Sequence, residues 1–405
     1  HPARRLLPLD LVRQALRMRP DRIIVGDARD KRDVADNSVA LVVTSPPYYG
    51  LRSYLPADHP DKAKEIGLEE TPEAYIARMV GVFAEVKRVL RSDGVLWVNI
   101  GDSYAAGGKG GGGSYMAERR DGAWKAQSEV NGWKAAPRGY KPKDRIGIPH
   151  MLAFALRADG WYWRDEIIWH KPNPMPSSTT DRTTAAHEFV FMFSKSAKYY
   201  YDGLAIAEKA SYPGDNRATR TDTRKVIDPM CADGGSRSRT GNPTGDTRNK
   251  RSVWRVSTRP YKGSHYATYP PKLIEPCILA GTSAKGCCPK CGAPWVRVVE
   301  RKRVATRPGT DSKVTGDSMT DGNRDPQRHV TSVETTWWEP SCECGETEAV
   351  GCIVLDPFVG SGTTLQVANE HGRRAIGCDL DERNLTLIAG RMATVTPQLA
   401  FGAGE

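Results

Sequence analysis

The sequence contains no long apolar run and no excess of acidic residues. None of its apolar stretches approaches the ~18 residues that a membrane-spanning helix needs, so we predict no membrane span and no membrane partner. The first residues, His1 to Leu7, lack the long apolar segment of a secretory signal peptide, and we expect a cytoplasmic protein. Lys and Arg outnumber Asp and Glu by 59 to 48, a net charge of +11, which suits a polyanionic partner without identifying one.

Cysteine is also scarce, at nine of 405 residues, but four of the nine form two close pairs. Cys288 and Cys291 enclose two residues, Cys342 and Cys344 enclose one, and glycine follows each pair. Four thiolates in this pattern are typical of a tetrahedral structural zinc site. The tight second pair and the long stretch between the pairs depart from the common spacing. Cys287 is an alternative ligand to Cys288, and unliganded thiols are the alternative to a metal site.

An unusual turn follows the apolar run Val39–Val43. Pro46 and Pro47 lack backbone N–H groups and have a fixed φ, so the predicted strand ends there. Ser45 Oγ and the carbonyls of Ser45 and Pro46 can accept hydrogen bonds, and Tyr48 adds a flat ring beside them. Such a turn suits an exocyclic amino group on a flat base, which it would orient and stabilise electrostatically. The alternative is an ordinary proline turn that closes a buried strand.

A second motif lies near the C-terminus, where a predicted strand leads into a glycine-rich turn and then a helix. The turn reads Asp356, Pro357, Phe358, Val359, Gly360, Ser361, Gly362, Thr363, Thr364. The two glycines permit positive φ and a close approach of a ligand to the backbone, and the helix N-terminus offers free N–H groups. The next strand ends at Asp379, about 20 residues beyond the glycines, where an acid can bind ribose hydroxyls. We predict a nucleoside-cofactor site, with a structural turn as the alternative.

Together the two motifs resemble those of the permuted, β-group DNA amino-methyltransferases, in which Ser-Pro-Pro-Tyr comes first and Asp-Pro-Phe-x-Gly-x-Gly comes late. The resemblance implies an α/β fold with a Rossmann-like, mostly parallel, circularly permuted sheet that carries inserted loops. It also implies an antiparallel pair formed by residues 161–169 and 187–193. The implied reaction moves a methyl group from S-adenosylmethionine to cytosine N4 or adenine N6.

The resemblance assigns roles to individual residues. Asp27 is expected to contact the cofactor adenine, Asp379 its ribose, and the turn from Phe358 to Gly362 its methionine portion. The implied catalytic residues are Ser45, Pro46, Pro47 and Tyr48. The implied cofactor-binding residues are Asp27, Asp356, Phe358, Gly360, Gly362, Thr363 and Asp379. For Thr363, a purely structural role at the helix start is the alternative.

Two further segments match the family. Residues 163–176 resemble a segment that borders the target-base pocket. Residues 265–273 resemble the segment that precedes the glycine motif and closes over the cofactor methionine, although His265 is the kind of lone histidine that is more often structural.

A base inside duplex DNA cannot reach the Ser45 turn. The enzyme is therefore expected to flip the base out, stack it on Tyr48 and hold its amino group against Ser45 and Pro46. Tyr48 as a plain core aromatic is the alternative. Serine rather than aspartate at position 45 favours cytosine N4 by resemblance, while adenine N6 remains the alternative because both bases offer an amino group.

We predict the following organisation. A catalytic half spans 20–200 with a glycine-rich insertion at 103–145, a target-recognition segment spans 202–260, the cofactor half comprises 261–283 and 350–396, and a zinc-ribbon-like insertion spans 284–349. The recognition segment is rich in arginines that can contact phosphates or guanine, although a solvated loop is the alternative. These arginines are Arg217, Arg220, Arg224, Arg237, Arg239, Arg248 and Arg251. The expected partner is double-stranded DNA, bound by a monomer or a homodimer.

Other classes of protein explain less of the sequence. A catalytically silent DNA-binding protein is expected to lose one of the two motifs. An RNA or protein amino-methyltransferase could share the catalytic turn, but a protein substrate does not explain the basic insertions. A nicotinamide dehydrogenase could use the glycine turn and its acid, but it leaves Ser45 to Tyr48 without a role.

Overall fold

The computed structural model describes residues 22–25, 34–51, 53–56, 58–105, 136–209, 247–258, 268–305 and 329–395, with backbone alone at 22–25, 301–305 and 329–332. Asp27, His265, most of the glycine-rich insertion and the arginines from Arg217 to Arg239 lie outside these residues. The chain forms two compact units. The first comprises 1–202, 251–294 and 342–405, and the second comprises 203–250 and 295–341.

An eight-stranded sheet is the framework of the first unit. Strands are numbered along the chain. Those of the first unit are β1 (Arg22–Val25), β2 (Val39–Thr44), β3 (Leu90–Ile100), β4 (Tyr162–His170), β5 (His187–Ser194), β8 (Val253–Arg255), β11 (Ile353–Asp356) and β12 (Arg374–Asp379). The helices are α1 (Pro72–Val89), α2 (Ile148–Ala158), α3 (Pro271–Gly281), α4 (Thr363–Glu370) and α5 (Asn384–Met392), with a 3-10 turn at Lys62–Lys64. A second 3-10 turn, Gly203–Ile206, belongs to the second unit. Across the described ranges, no helix combines the length and the apolar character needed to cross a bilayer.

The strand order in this sheet is β1-β12-β11-β2-β3-β5-β4-β8. The first five of these strands are parallel to one another. β5 runs antiparallel to both of its neighbours, and β8 is parallel to β4. The β4–β5 register runs from Tyr162 opposite Ser194 to His170 opposite His187. The predicted mostly parallel sheet with an antiparallel pair is therefore confirmed.

Helices cover both faces of the central strands. Successive side chains of a strand point to opposite faces, and those of β3 divide accordingly between two buried clusters. Leu96, Val98 and Ile100 pack with residues of α1 and α2, whereas Val95 and Trp97 pack with residues of α3 and α4. Burial on both faces explains why β2 and β3 are almost continuously apolar in sequence.

The order of the strands reverses between β11 and β2. β11 leads through α4 to β12 on one side, and β2 leads through α1 to β3 on the other. The two strands pair directly, with Val354 opposite Leu41 and Leu355 opposite Val42. In open α/β sheets, ligands bind beyond the carboxyl ends of the strands at such a reversal.

Two antiparallel pairs of strands are described in the second unit. β9 (Trp295–Ala305) pairs with β10 (His329–Pro340) in a long ribbon, and β6 (Glu208–Lys209) pairs with β7 (Thr247–Arg248). Trp337 on the ribbon is 67% exposed, and the guanidinium of Arg297 lies 4.5 Å from the ring centre of Trp338. Arg248, one of the arginines of the predicted recognition segment, forms an ion pair with Glu208 at 3.4 Å.

Candidate functional site

The carboxyl ends of β2 and β11 bring the two sequence motifs together. Thr44, the last residue of β2, donates a hydrogen bond from Oγ1 to Asp356 Oδ1 at 2.6 Å. Asp356 ends β11, and the two residues are 312 positions apart in the chain. This buried contact joins the Ser45 turn to the glycine loop, so the sheet edge carries one continuous site.

Hydrogen bonds from the protein fill the acceptor capacity of Asp356. Thr44 Oγ1 and the Phe358 N–H, at 2.6 and 3.0 Å, donate to Oδ1. Thr364 Oγ1 and the Tyr269 hydroxyl, at 2.5 and 3.1 Å, donate to Oδ2. A carboxylate offers about four acceptor positions, and all of them are occupied here. Burial nevertheless raises the pKa of Asp356 above its ordinary value. This side chain therefore braces the loop against β2 and α4.

Asp379 accepts fewer hydrogen bonds than Asp356 from the part of the chain that the structure describes. Its Oδ2 accepts from the Gly360 N–H and its Oδ1 from the Asp381 N–H, each at 2.8 Å. The side chain of Asn384 supplies one further hydrogen bond. Burial raises the pKa of Asp379, as it does for Asp356. Counting donors from the described residues alone, three of about four acceptor positions are occupied, and one is available to a ligand hydroxyl.

The glycine loop has the backbone geometry that its sequence predicts. Gly360 and Gly362 have φ values of 48° and 84°, in the left-handed region where a side chain is unfavourable. Gly377 on β12 lies under the loop, and a Cβ there would approach Val359 Cγ2 to 2.8 Å. Gly362 is the N-cap of α4, and Phe358 is half-buried at the loop's start. The close packing lets the loop lie directly over the sheet edge.

Thr363 is buried in the start of α4. Its hydroxyl accepts a hydrogen bond from Arg391 Nη1 at 2.7 Å, and Arg391 Nη2 donates to Ser361 Oγ at 3.1 Å. These contacts tie α4 to α5, which is the structural role considered for Thr363 above.

Two hydrogen bonds hold the backbone that follows Ser45 in place. Pro46 is buried, while Ser45 and Pro47 are half-buried. The Tyr75 hydroxyl of α1 donates to Pro47 O at 2.9 Å, and Ser103 Oγ donates to Tyr49 O at 2.7 Å. These bonds fix the backbone that follows the two prolines.

Tyr48 lies in a polar niche at the ends of β3 and β5. Its ring packs on Gly101, where a Cβ would come within 2.7 Å of Tyr48 Cε2. Its hydroxyl donates to Glu188 Oε2 at 2.8 Å, with Asn99 Oδ1 at 3.2 Å as a second acceptor. Burial and the Glu188 carboxylate raise the pKa of Tyr48, while a hydrogen bond with Ser45 opposes the shift. The phenol therefore stays protonated and acts as a hydrogen-bond donor.

Lys171 completes this niche. Its ammonium forms an ion pair with Glu188 Oε1 and lies 4.4 Å from the ring centre of Trp169. The predicted base-pocket segment thus reaches Tyr48 through Glu188.

The predicted metal ligands also come together in the first unit. The sulfur atoms of Cys288, Cys291, Cys342 and Cys344 all lie within 4.8 Å of one another. Cys287 is outside this group, and its thiol donates to Gly351 O at 3.8 Å.

Comparison with known proteins identifies the family. A model of the DNA methylase family matches residues 39–288 and 326–390, which include both motifs. The chain belongs to the N4/N6 DNA methylase family. Type II methyltransferase M.XycI from Xanthomonas campestris pv. cyanopsidis is 36% identical to this methylase over 380 residues, covering 94% of the chain and 90% of that protein. Type II methyltransferase M.SmaI from Serratia marcescens is 34% identical, covering 93% and 91% respectively.

A solved structure of a similar protein is that of PvuII DNA methyltransferase (cytosine-N4-specific). It is 14% identical, with a TM-score of 0.47 over 93% of this methylase and 87% of that chain.

Sequence reasoning missed four side chains of the site: Thr44, Asn99, Glu188 and Tyr269. Asn99 and Glu188 carry a detectable signal, because each is a polar residue directly beside a run of four or five apolar residues in its strand, and buried polar groups require partners. Thr44 and Tyr269 carry no comparable signal, since their role depends on the pairing of β2 with β11.

Proposed function

We propose that this methylase transfers a methyl group from S-adenosylmethionine to cytosine N4 in double-stranded DNA. The observation that carries the proposal is the 2.6 Å hydrogen bond from Thr44 to Asp356, because it places the acceptor turn and the glycine loop at one strand reversal. A nucleoside cofactor bound at the loop and a base held at the turn are then neighbours.

The residues of the loop fit this cofactor. Asp379 has an acceptor position for a ribose hydroxyl, and Gly360 and Gly362 leave space for close approach to the backbone. Asp356 and Thr363 act as positioning residues, since their polar atoms bind within the protein. When bound, S-adenosylmethionine supplies an electrophilic methyl group attached to a positively charged sulfur. Asp27, which lies outside the described residues, remains the residue proposed for the adenine.

The Ser45 turn supplies acceptors for the target amino group. Ser45 Oγ and the Pro46 carbonyl hold the two amino hydrogens and direct the nitrogen lone pair towards the methyl donor. With the cofactor bound, the amino nitrogen would take the methyl group, the electrons of the carbon–sulfur bond would stay with the sulfur, and one amino proton would pass to solvent. This mechanism needs orientation and charge stabilisation, and it needs no covalent intermediate with the protein.

The position of the turn supports base flipping. Ser45 lies at the end of a strand that is buried on both faces, so a base still stacked in duplex DNA cannot approach it. Tyr48 provides a ring held in place by Gly101 and Glu188, on which an extruded base can stack. Unstacking costs a few kcal/mol, which the contacts to the flipped base offset.

Serine at position 45 supports cytosine over adenine through the family resemblance. Both bases present an amino group, so the target atom requires direct measurement. The decisive experiment expresses the chain in a methylation-free host and maps the modified bases by single-molecule sequencing. We expect N4-methylcytosine at one sequence motif. Detection of N6-methyladenine instead would identify adenine N6 as the target atom. Unmodified DNA would favour a catalytically silent DNA-binding protein.

The mapped motif gives the duplex sequence that is needed to test base flipping. Duplexes that carry 2-aminopurine in place of the target base are titrated with the enzyme, and we expect fluorescence to rise as the base leaves the stack. A duplex with the probe outside the motif is the control. An unchanged signal at the target position would contradict extrusion, while the mapped methylation would stand independently.

A further inference from the structure

Four cysteine thiols of the first unit form a compact group. Cys288, Cys291, Cys342 and Cys344 are free thiols whose sulfur atoms lie within 4.8 Å of one another. Within the described residues, this is the sole group of three or more potential ligand side chains at such distances. Four sulfurs that are mutually close, rather than close in two separate pairs, match the corners of a tetrahedron around one ion.

The backbone around the first pair forms a tight turn. The Gly292 N–H donates to Cys288 O, and the Cys288 N–H donates to Ala293 O, both at 2.8 Å. Gly292 has a φ of 73°, and Gly345, directly after the second pair, has a φ of 75°. Left-handed glycines after each pair let the chain turn back so that both sulfurs of a pair face the same point.

A short antiparallel bridge holds the two pairs against each other. The Cys287 N–H donates to Val350 O at 2.8 Å, and the Val350 N–H donates to Cys287 O at 2.9 Å. The two chain segments therefore meet through backbone bonds that do not depend on the thiols. These backbone bonds bring residues 287–291 and the chain that follows Cys344 together.

A guanidinium from the central sheet lies beside the group. Arg91 of β3 donates from Nη1 to Cys291 O at 2.6 Å, and it forms an ion pair with Asp93 at 2.8 Å. Arg91 thus fixes the backbone at Cys291 while its own charge is balanced by Asp93. Such outer contacts orient the ligands of a metal site.

We propose that these four cysteines bind one structural zinc ion. Thiolate sulfur selects zinc over the oxygen-preferring ions, and a complete set of four protein ligands leaves no position for water or substrate. Each thiol releases its proton on binding. The ion links residues 288–291 to residues 342–344 and so closes the intervening chain of about 50 residues, which lowers the entropy of the unfolded state. The site is separate from the proposed methyl-transfer chemistry and does not depend on it.

The test uses the full chain, purified without a polyhistidine tag or chelator. Elemental analysis is expected to give one zinc per chain, released by a mercurial reagent that titrates four thiols. Cobalt exchanged into the site should show the sulfur-to-cobalt charge-transfer band and the strong visible bands of a tetrahedral four-sulfur site. Cys342→Ser should lose the zinc and the cobalt spectrum and lower Tm. Cys277→Ala, at a buried cysteine of α3 that lies outside the group, is the matched control. This variant should retain the zinc and the cobalt spectrum.

Two results would overturn the proposal. One is wild-type protein that is folded and active but free of zinc after expression with added zinc. The other is a mass and thiol count showing two disulfides within the group. Because metal content is measured on the wild type, instability of the Cys342→Ser variant does not affect the conclusion. A result against zinc leaves the methyl-transfer proposal intact, since that proposal is tested by mapped methylation.

Discussion

The two halves of the site differ in how their polar atoms are used. On the cofactor side, Asp356, Thr363 and Thr364 form hydrogen bonds with neighbouring protein groups. On the base side, hydrogen bonds from Tyr75 and Ser103 fix the Ser45 turn at the Pro47 and Tyr49 carbonyls, and Ser45 bonds to Tyr48 of the same turn. The difference indicates that the cofactor half is preorganised by a buried network, whereas the base half presents a few acceptors on a rigid support. Substitutions in the two halves should therefore fail in different ways.

The largest effect is expected for Ser45→Ala. The variant removes one acceptor for the target amino group, and loss of one preorganised contact of this kind lowers the rate by roughly 10²–10³-fold. Single-turnover methyl transfer should fall accordingly, while cofactor affinity, measured by calorimetry, should stay within about twofold because the glycine loop is untouched. Ser38→Ala, at the opposite end of the same strand, removes a hydroxyl of similar size and should leave both quantities unchanged. Equal losses of rate and cofactor affinity would contradict the division between the halves.

Asp356→Asn should mainly reduce stability. The amide places an N–H₂ group where two donors now meet a carboxylate oxygen, so buried donors lose their partner at about 1–3 kcal/mol each. We expect the free energy of unfolding, measured by urea denaturation, to fall by roughly 2–4 kcal/mol. Asp58→Asn, at an exposed carboxylate, is the control and should have little effect.

A comparison of the wild type with the Asp356→Asn variant also gives a pH test. Burial raises the pKa of Asp356 in the folded state, so its contribution to stability is greatest at low pH and declines as pH rises through that folded pKa. The stability difference between wild type and Asp356→Asn should therefore grow as pH is lowered towards 4. A difference that shrinks on acidification would show that the ionised carboxylate is the favoured form.

Asp379→Ala should weaken cofactor binding. Loss of a hydrogen bond to a charged acceptor costs about 1.5–3 kcal/mol, or roughly 10–100-fold in cofactor affinity. At saturating cofactor, the transfer rate should recover to within about tenfold of wild type, which is the reverse of the Ser45→Ala pattern. Asp381→Ala removes a neighbouring carboxylate that pairs with Arg383 and should retain cofactor affinity. Equal affinity losses in both variants would point to a general disturbance of the β12 end.

The sequence predicted the ends of the parallel strands better than it predicted their partners. Apolar runs, two prolines and two glycines located β2, β11 and the turns after them, because these signals are local. The bonds that join the halves involve residues such as Thr44 and Tyr269, whose neighbours are set by strand order. For the same reason, the sequence indicated Asp356 and Asp379 alike as cofactor ligands, and it gave no sign that their described hydrogen-bond partners differ. The cysteine pairs were predictable from spacing, but the choice of Cys288 over Cys287 depended on the direction of each side chain.

The smallest effect is expected for the hydrogen bonds and ion pair that link Tyr48, Glu188 and Lys171 on the base side. Glu188→Gln keeps an acceptor for the Tyr48 hydroxyl but removes the charge that pairs with Lys171, so we expect transfer to slow by about tenfold or less. Tyr48→Phe keeps the ring for stacking and loses only the hydroxyl, whereas Tyr48→Ala loses both and should be slower still. If the hydroxyl acts through Glu188, the double variant of Tyr48→Phe and Glu188→Gln should be no slower than the slower single variant, which single-turnover rates in a double-mutant cycle will show. Additive losses would mean that Glu188 serves Lys171 alone, and that the Tyr48 ring is positioned by its packing on Gly101.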